Sequence, residues 1–193
     1  MKTANVLGLA AVTTLGALLA AASCESAPPA SPSNPESIEA WSTIYSVLQH
    51  PRCMNCHPSD GIPKQGDDKR PHGQNVKGGA DGHGRFALRC ESCHRAFNLQ
   101  GPNLPPGAPD WHMPASKMPL VFEGMSSGAL CRQLKDPARN GGQTPEQLFE
   151  HMAKAPLVLW GWSPGEGRTP VGISHDDFVR AVRAWIDGGC DCP

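Results

Sequence analysis

Residues 50–60 read HPRCMNCHPSD, and residues 90–94 read CESCH. Each stretch places two cysteines with two residues between them and a histidine directly after, C-x-x-C-H. The chain has eight Cys and eight His among 193 residues, so chance yields such a match on the order of 0.01 times. Disulfides and zinc both use paired cysteines, but neither explains the histidine. The 33 residues between Cys56 and Cys90 also exceed the common zinc spacing.

Attachment of a c-type haem uses all three residues. Two thiols on one turn of chain reach the two vinyl groups of one macrocycle, and the next side chain is carried under the iron. Cys53 and Cys56 are thus expected to hold haem 1 with His57 on its iron. Cys90 and Cys93 are expected to hold haem 2 with His94. Composition agrees with two such cofactors. Gly (21) and Pro (20) are abundant and aromatics are few, so the chain needs added apolar core. Charge is nearly balanced, 17 Lys+Arg against 18 Asp+Glu, and no basic field points to nucleic acid.

Residues 1–23 read as an export signal. Lys2 precedes the apolar run VLGLAAVTTLGALLAAA, too short for a stable membrane span. Cleavage after Ala22 and lipidation of Cys24 in AASC are alternatives. Residues 24–35 are a Pro/Ser-rich linker suited to a tethered domain. Residues 36–193 form the dihaem domain. An exported, periplasmic location follows, with a membrane anchor through Cys24 as one route.

The spacing predicts a helix over 36–49, opened by Asn34-Pro35, with Ile38, Trp41, Tyr45 and Leu48 on one face. A short helix is expected at 127–135. Another follows Thr144, with Pro145 at its first position and Gln147 completing a capping box. The last follows Ser174, presents Phe178, Val182, Trp185 and Ile186, and stops at Gly188-Gly189. Residues 58–89 and 95–125 read as loops, and nothing alternates like a sheet. The expected fold is mainly α with extensive irregular loops, cytochrome c-like and organised around two covalently bound haems.

The sixth iron ligands come from the remaining His and Met. His72, in a Gly/Pro loop beyond His57, is favoured for haem 1, with His83 as alternative. For haem 2, Met113, Met118, Met125, His112 and His151 compete, and the extended ASKMPL context favours Met118. A thioether raises reduction potential, so electrons are expected to enter at haem 1 and leave from haem 2. Cys131–Cys192 is the expected disulfide, closing about 60 residues and worth about 2–4 kcal/mol, with Cys190 as the other partner for Cys131. WGWSPGEGR at 160–168 reads either as a cover over a haem, with Arg168 on a propionate, or as a turn packing two tryptophans.

The motifs look like those of a dihaem c-type cytochrome. More narrowly, residues 48–193 resemble small cytochromes described as an isoquinoline oxidoreductase subunit. The segments carrying this are PHGQNVKGG (71–79), PPGAPDWHMP (105–114), LCRQLKDPARNGG (130–142), LVLWGWSPGEGRTP (157–170) and the terminal CP. The resemblance implies electron transfer from a molybdenum hydroxylase to the respiratory chain, through another cytochrome or a terminal oxidase. It implies a carrier subunit more than an enzyme. A dihaem peroxidase with one open iron, or a haem-based sensor, is the alternative.

Overall fold

The computed structural model describes residues 33–193. The export segment, the lipidation site Cys24 and the linker through Pro32 lie outside the described residues. Helix α1 spans Pro35–Leu48. Asn34 caps it by accepting from the Glu36 N–H, and Pro35 occupies a first-turn position where no donor is needed. A four-residue helix α2, Pro51–Met54, follows at once and carries the first motif.

Helix α3, Ser127–Lys135, is capped by Ser126. Helix α4, Pro145–Lys154, has the reciprocal Thr144/Gln147 capping box. A single helical turn, α5, Pro156–Leu159, leads into a tight turn at Trp160–Trp162. Helix α6, His175–Asp187, starts at the Ser174 cap and ends at Gly188. Gly189 continues with φ of +90°, a conformation that favours glycine. Helices α3 and α6 pack on α1, and α4 packs on α6.

The core lies where α1 and α6 cross. Trp41 and Trp185 are buried with ring centroids 5.2 Å apart. Trp41 Nε1 donates to Ser127 Oγ at 2.9 Å, and the Ser37 hydroxyl donates to the Trp185 carbonyl at 3.0 Å. Ile44, Leu130, Leu134, Phe178 and Val182 fill the space between. Each such side chain contributes about 1.5–3 kcal/mol by leaving water. Gly188 is needed here because a Cβ on it would come within 2.6 Å of Ser37 Cβ. A disulfide joins Cys131 of α3 to Cys192, with Cα atoms 5.6 Å apart, and leaves Cys190 free.

Residues 55–120 are built differently. They hold two minimal hairpins: β1 Lys64–Gln65 with β2 Arg70–Pro71, and β3 Gly84–Arg85 with β4 Leu88–Arg89. The loop expected over 58–89 is corrected to this extent. Two-residue strands are too short to show alternation in sequence. Among the described residues, no helix is long and apolar enough to cross a membrane.

Candidate cofactor sites

The first motif is wound by α2 and its exit. Cys56 N–H donates to the Cys53 carbonyl at 3.1 Å, and His57 N–H to the Met54 carbonyl at 3.1 Å. Two thiols and one imidazole thereby share one turn. The His57 ring is stacked on Phe122 at 3.8 Å and 9°. Its Nδ1 lies 2.6 Å from the Leu120 carbonyl oxygen. A carbonyl only accepts, so Nδ1 carries the proton and Nε2 keeps a bare lone pair. Burial holds His57 neutral, with its pKa pushed down to about 4. Burial likewise pushes Cys53 up to about 12 and Cys56 up to about 11, and the Cys90 thiol adds to the latter shift.

The second motif repeats this plan on a single 3-10 turn, Cys90–Ser92. Cys93 and His94 N–H groups both donate to the Cys90 carbonyl, at 3.2 and 2.9 Å. His94 Nδ1 lies 2.7 Å from the Pro106 carbonyl, which again leaves Nε2 bare. Trp111 stacks on the ring at 4.4 Å and 2°. Trp160 meets Trp111 edge-on at 4.9 Å, while its Nε1 donates to Asn98 Oδ1 at 3.0 Å. Burial lowers the His94 pKa, with smaller contributions from His72 and Arg168.

Each imidazole lines a cavity. The first, about 640 Å³, is lined by His57, Cys56, Phe86 and Leu120 among others. The second, about 570 Å³, is lined by His94, Cys90, Cys93, His72, Trp111 and Arg168 among others. Both volumes suit a small cofactor. Cys56, Lys77, Gly78 and Met113 line both, so the cavities share a wall.

The structure redistributes the expected sixth ligands. His72 stands with His94, not with His57. Their ring centroids are 6.0 Å apart at 62°, and both line the second cavity. A metal held by both imidazoles, with metal–nitrogen bonds of about 2 Å, would need the rings at a separation of this order. His72 Nδ1 bonds the Gly73 carbonyl at 2.9 Å, leaving Nε2 free. The structure therefore places His72 beside His94 rather than beside His57. The fold explains it: β1 and β2 pair Lys64 with Pro71, and this reversal carries His72 away from His57.

Met118 lines neither cavity, and Met125 packs against the helical core. Met113 is buried and lines both cavities. His83 sits beside Asp110 and His112. His151, on α4, has its pKa lowered by burial and by His112, and its own charge reaches His57.

The WGWSPGEGR segment sends its two tryptophans to different places. Trp160 reaches site 2, whereas Trp162 packs on Phe178 at 5.3 Å in the core. Arg168 lines the second cavity but bonds the Leu104, Pro164 and Glu166 carbonyls.

Sequence reasoning missed two residues of the first motif that line the second cavity, Arg52 and Asn55. Arg52 pairs with Asp67, yet its buried Nε has no partner, and neither has Asn55 Oδ1. It also missed Phe122, Trp111 and the two carbonyl acceptors. Aromatics downstream of each motif were a signal for the first two. Backbone carbonyls carry none.

No protein-family model matches the chain, and no curated protein or solved structure is similar to it.

Proposed function

We propose that the chain is an exported dihaem c-type cytochrome that carries single electrons, with one haem at each C-x-x-C-H turn. One observation carries the reading. His57 and His94, each the residue after a C-x-x-C pair, commit Nδ1–H to a backbone carbonyl and leave Nε2 bare. Iron-binding histidines are oriented in this way. The orphaned Arg52 Nε and Asn55 Oδ1 give further support, since a haem propionate is a partner suited to a buried guanidinium. So do the exposed side chains Phe86 and Leu88, which line the first and second cavities and gain cover from a macrocycle. The four thiols do not converge as a zinc site needs. Among the described residues, the one cluster of three potential metal ligands is His83, Asp110 and His112.

A bound haem iron supplies one-electron exchange between its ferric and ferrous states. The chain fixes where that happens. Cys53 and Cys56 tether site 1, and Cys90 and Cys93 tether site 2. His57 and His94 are the proximal ligands, His72 closes site 2, and Arg52 with Arg168 offers positive charge to the propionates. On this reading the imidazole pair lies at site 2, and the premise for electrons entering at haem 1 is replaced by one for entry at site 2. The donor fitting the sequence resemblance is a periplasmic molybdenum hydroxylase, and the acceptor another cytochrome or a terminal oxidase. Intact-mass analysis of the exported chain is expected to show two covalently added tetrapyrroles, falling to one in Cys53→Ala/Cys56→Ala. An unmodified mass ends the reading.

A second reading has an observation in its favour at site 1. Among the described ring pairs, only Phe122 faces His57, so no imidazole stands opposite it. An open iron there would suit a peroxidase-like enzyme or a sensor. We assign Met113 to that position, because it is the one thioether lining the first cavity. Carbon monoxide added to the reduced protein is expected to leave the wild type unchanged and to bind Met113→Ala. Rapid binding to the wild type favours the enzyme or sensor. A Met113→Ala protein that still excludes the gas moves the ligand to His151.

A further inference from the structure

We propose that His83, Asp110 and His112 form a separate site for a divalent cation of the zinc class, beside the second cavity. One potential ligand atom from each lies within 4.8 Å of the other two. Asp110 Oδ1 is 2.9 Å from His83 Nε2, and Asp110 Oδ2 is 3.4 Å from His112 Nδ1, which also lies 2.5 Å from the Asp110 backbone carbonyl, a contact that a cation would replace at that nitrogen. The two imidazole rings stand side by side, 5.0 Å apart and 23° from parallel. One carboxylate thus faces two imidazoles, and a simple ion pair needs only one.

The site is held by backbone. Met113 N–H donates to the Gly82 carbonyl at 2.9 Å, and Ser116 N–H to the Ala80 carbonyl at 3.3 Å. These bonds clamp the loop bearing His83 onto the loop bearing Asp110 and His112. Contact is close enough that a Cβ on Gly82 would fall 1.9 Å from the Met113 carbonyl oxygen. Asp110 adopts φ of +55°, a turn conformation that aspartate tolerates better than most residues. The outer shell is also present. His83 Nδ1 lies 3.1 Å from the Asp81 carbonyl, which directs Nε2 inward as a ligand. Arg89 holds the Asp81 carboxylate at 3.0 Å.

Ligand chemistry selects the ion. Two imidazoles and one carboxylate suit zinc, with copper and nickel as competitors, and disfavour calcium and magnesium. Three protein ligands leave a fourth position for water. The Asp110 side chain is 71 % exposed, so a cation reaches the site from solvent.

The test uses the haem-loaded, exported chain titrated with zinc chloride in a calorimeter. One equivalent is expected to bind. The zinc X-ray absorption edge should show only nitrogen and oxygen neighbours at about 2.0–2.2 Å. His83→Ala, Asp110→Asn and His112→Ala should each weaken zinc at least tenfold and leave the haem absorption spectrum unchanged. The proposal falls if zinc does not bind stoichiometrically, if sulfur enters its shell, or if His83→Ala binds as the wild type does. It falls equally if His112→Ala alters the iron spectrum, because that residue would then belong to a haem.

Discussion

The helical half of the molecule, residues 35–54 with 121–193, closes on its own side chains, and the half between them does not. Prolines and glycines aside, only Ala108 and Met113 of the buried apolar residues come from 55–120. Phe86, Leu88, Phe97, Leu99 and Leu104 stand exposed there, Phe86 completely. The same segment holds most of the non-glycine residues at positive φ: Lys69, Gln74, Asn75, Asn103 and Asp110. Backbone of that kind lacks the repeating hydrogen bonds of α1 or α6 and must be held by something else. The two C-x-x-C-H turns divide along the same line. The first motif leaves α2 and rests on Phe122 beside the helices, whereas the second lies within the segment of loops and short hairpins.

This contrast predicts the largest effect. Cys90→Ala/Cys93→Ala removes the proposed tether of site 2 and should strip hydrogen-exchange protection from residues 58–119. Protection in α1, α4 and α6 should stay near the wild-type level. Uniform loss across both halves would show that the helical core also depends on the cofactor. Unchanged protection would show that the loops hold themselves.

Trp41→Ala attacks the other half. It removes a fully buried ring packed on Trp185 and should cost about 3–5 kcal/mol in denaturant unfolding. The haem spectrum of the remaining folded protein should not change, since Trp41 lines neither cavity. Cys131→Ser/Cys192→Ser comes next, at about 2–4 kcal/mol, because the bridge closes a separation of 61 residues. A smaller loss accompanied by a new Cys131–Cys190 bridge in Cys192→Ser alone would mean that the chain end exchanges partners.

The helical half was legible in sequence because its signals are local. Thr144 with Gln147, Ser174 ahead of the Phe178/Val182/Trp185 stripe, and Asn34-Pro35 each mark an end within four residues. The turns that carry His57 and His94 were legible for the same reason. Their surroundings were not. His72 is separated from His57 by fourteen residues and from His94 by twenty-one, and the fold sets it beside the more distant of the two. What decides is a hairpin of two-residue strands, too small to leave a pattern. Arg52 and Asn55 were hidden differently. They belong to the first motif by position and to the second cavity by placement, which only the folded chain brings about.

The smallest predicted effect concerns the tie between the halves. Asp67, in the β1–β2 turn, pairs with Arg52 of α2 and accepts from Thr169 Oγ1 and from Thr169 N–H at 3.1 Å. The Thr169 hydroxyl, its N–H and then Arg52 hold the Asp67 carboxyl below the usual carboxylate range. A carboxylate depressed in the folded state contributes stability that is complete above its unfolded pKa, near 4, and that disappears as pH falls through the lower folded value. Wild-type melting temperature should therefore drop more steeply below about pH 4 than that of Asp67→Asn, and the two curves should converge in strong acid. Asp67 is half-exposed, so the gap at neutral pH should be smaller than that from breaking the disulfide. If Asp67→Asn instead melts parallel to the wild type at every pH, the carboxylate charge does not join the halves, and Arg52 is held by the cavity side alone.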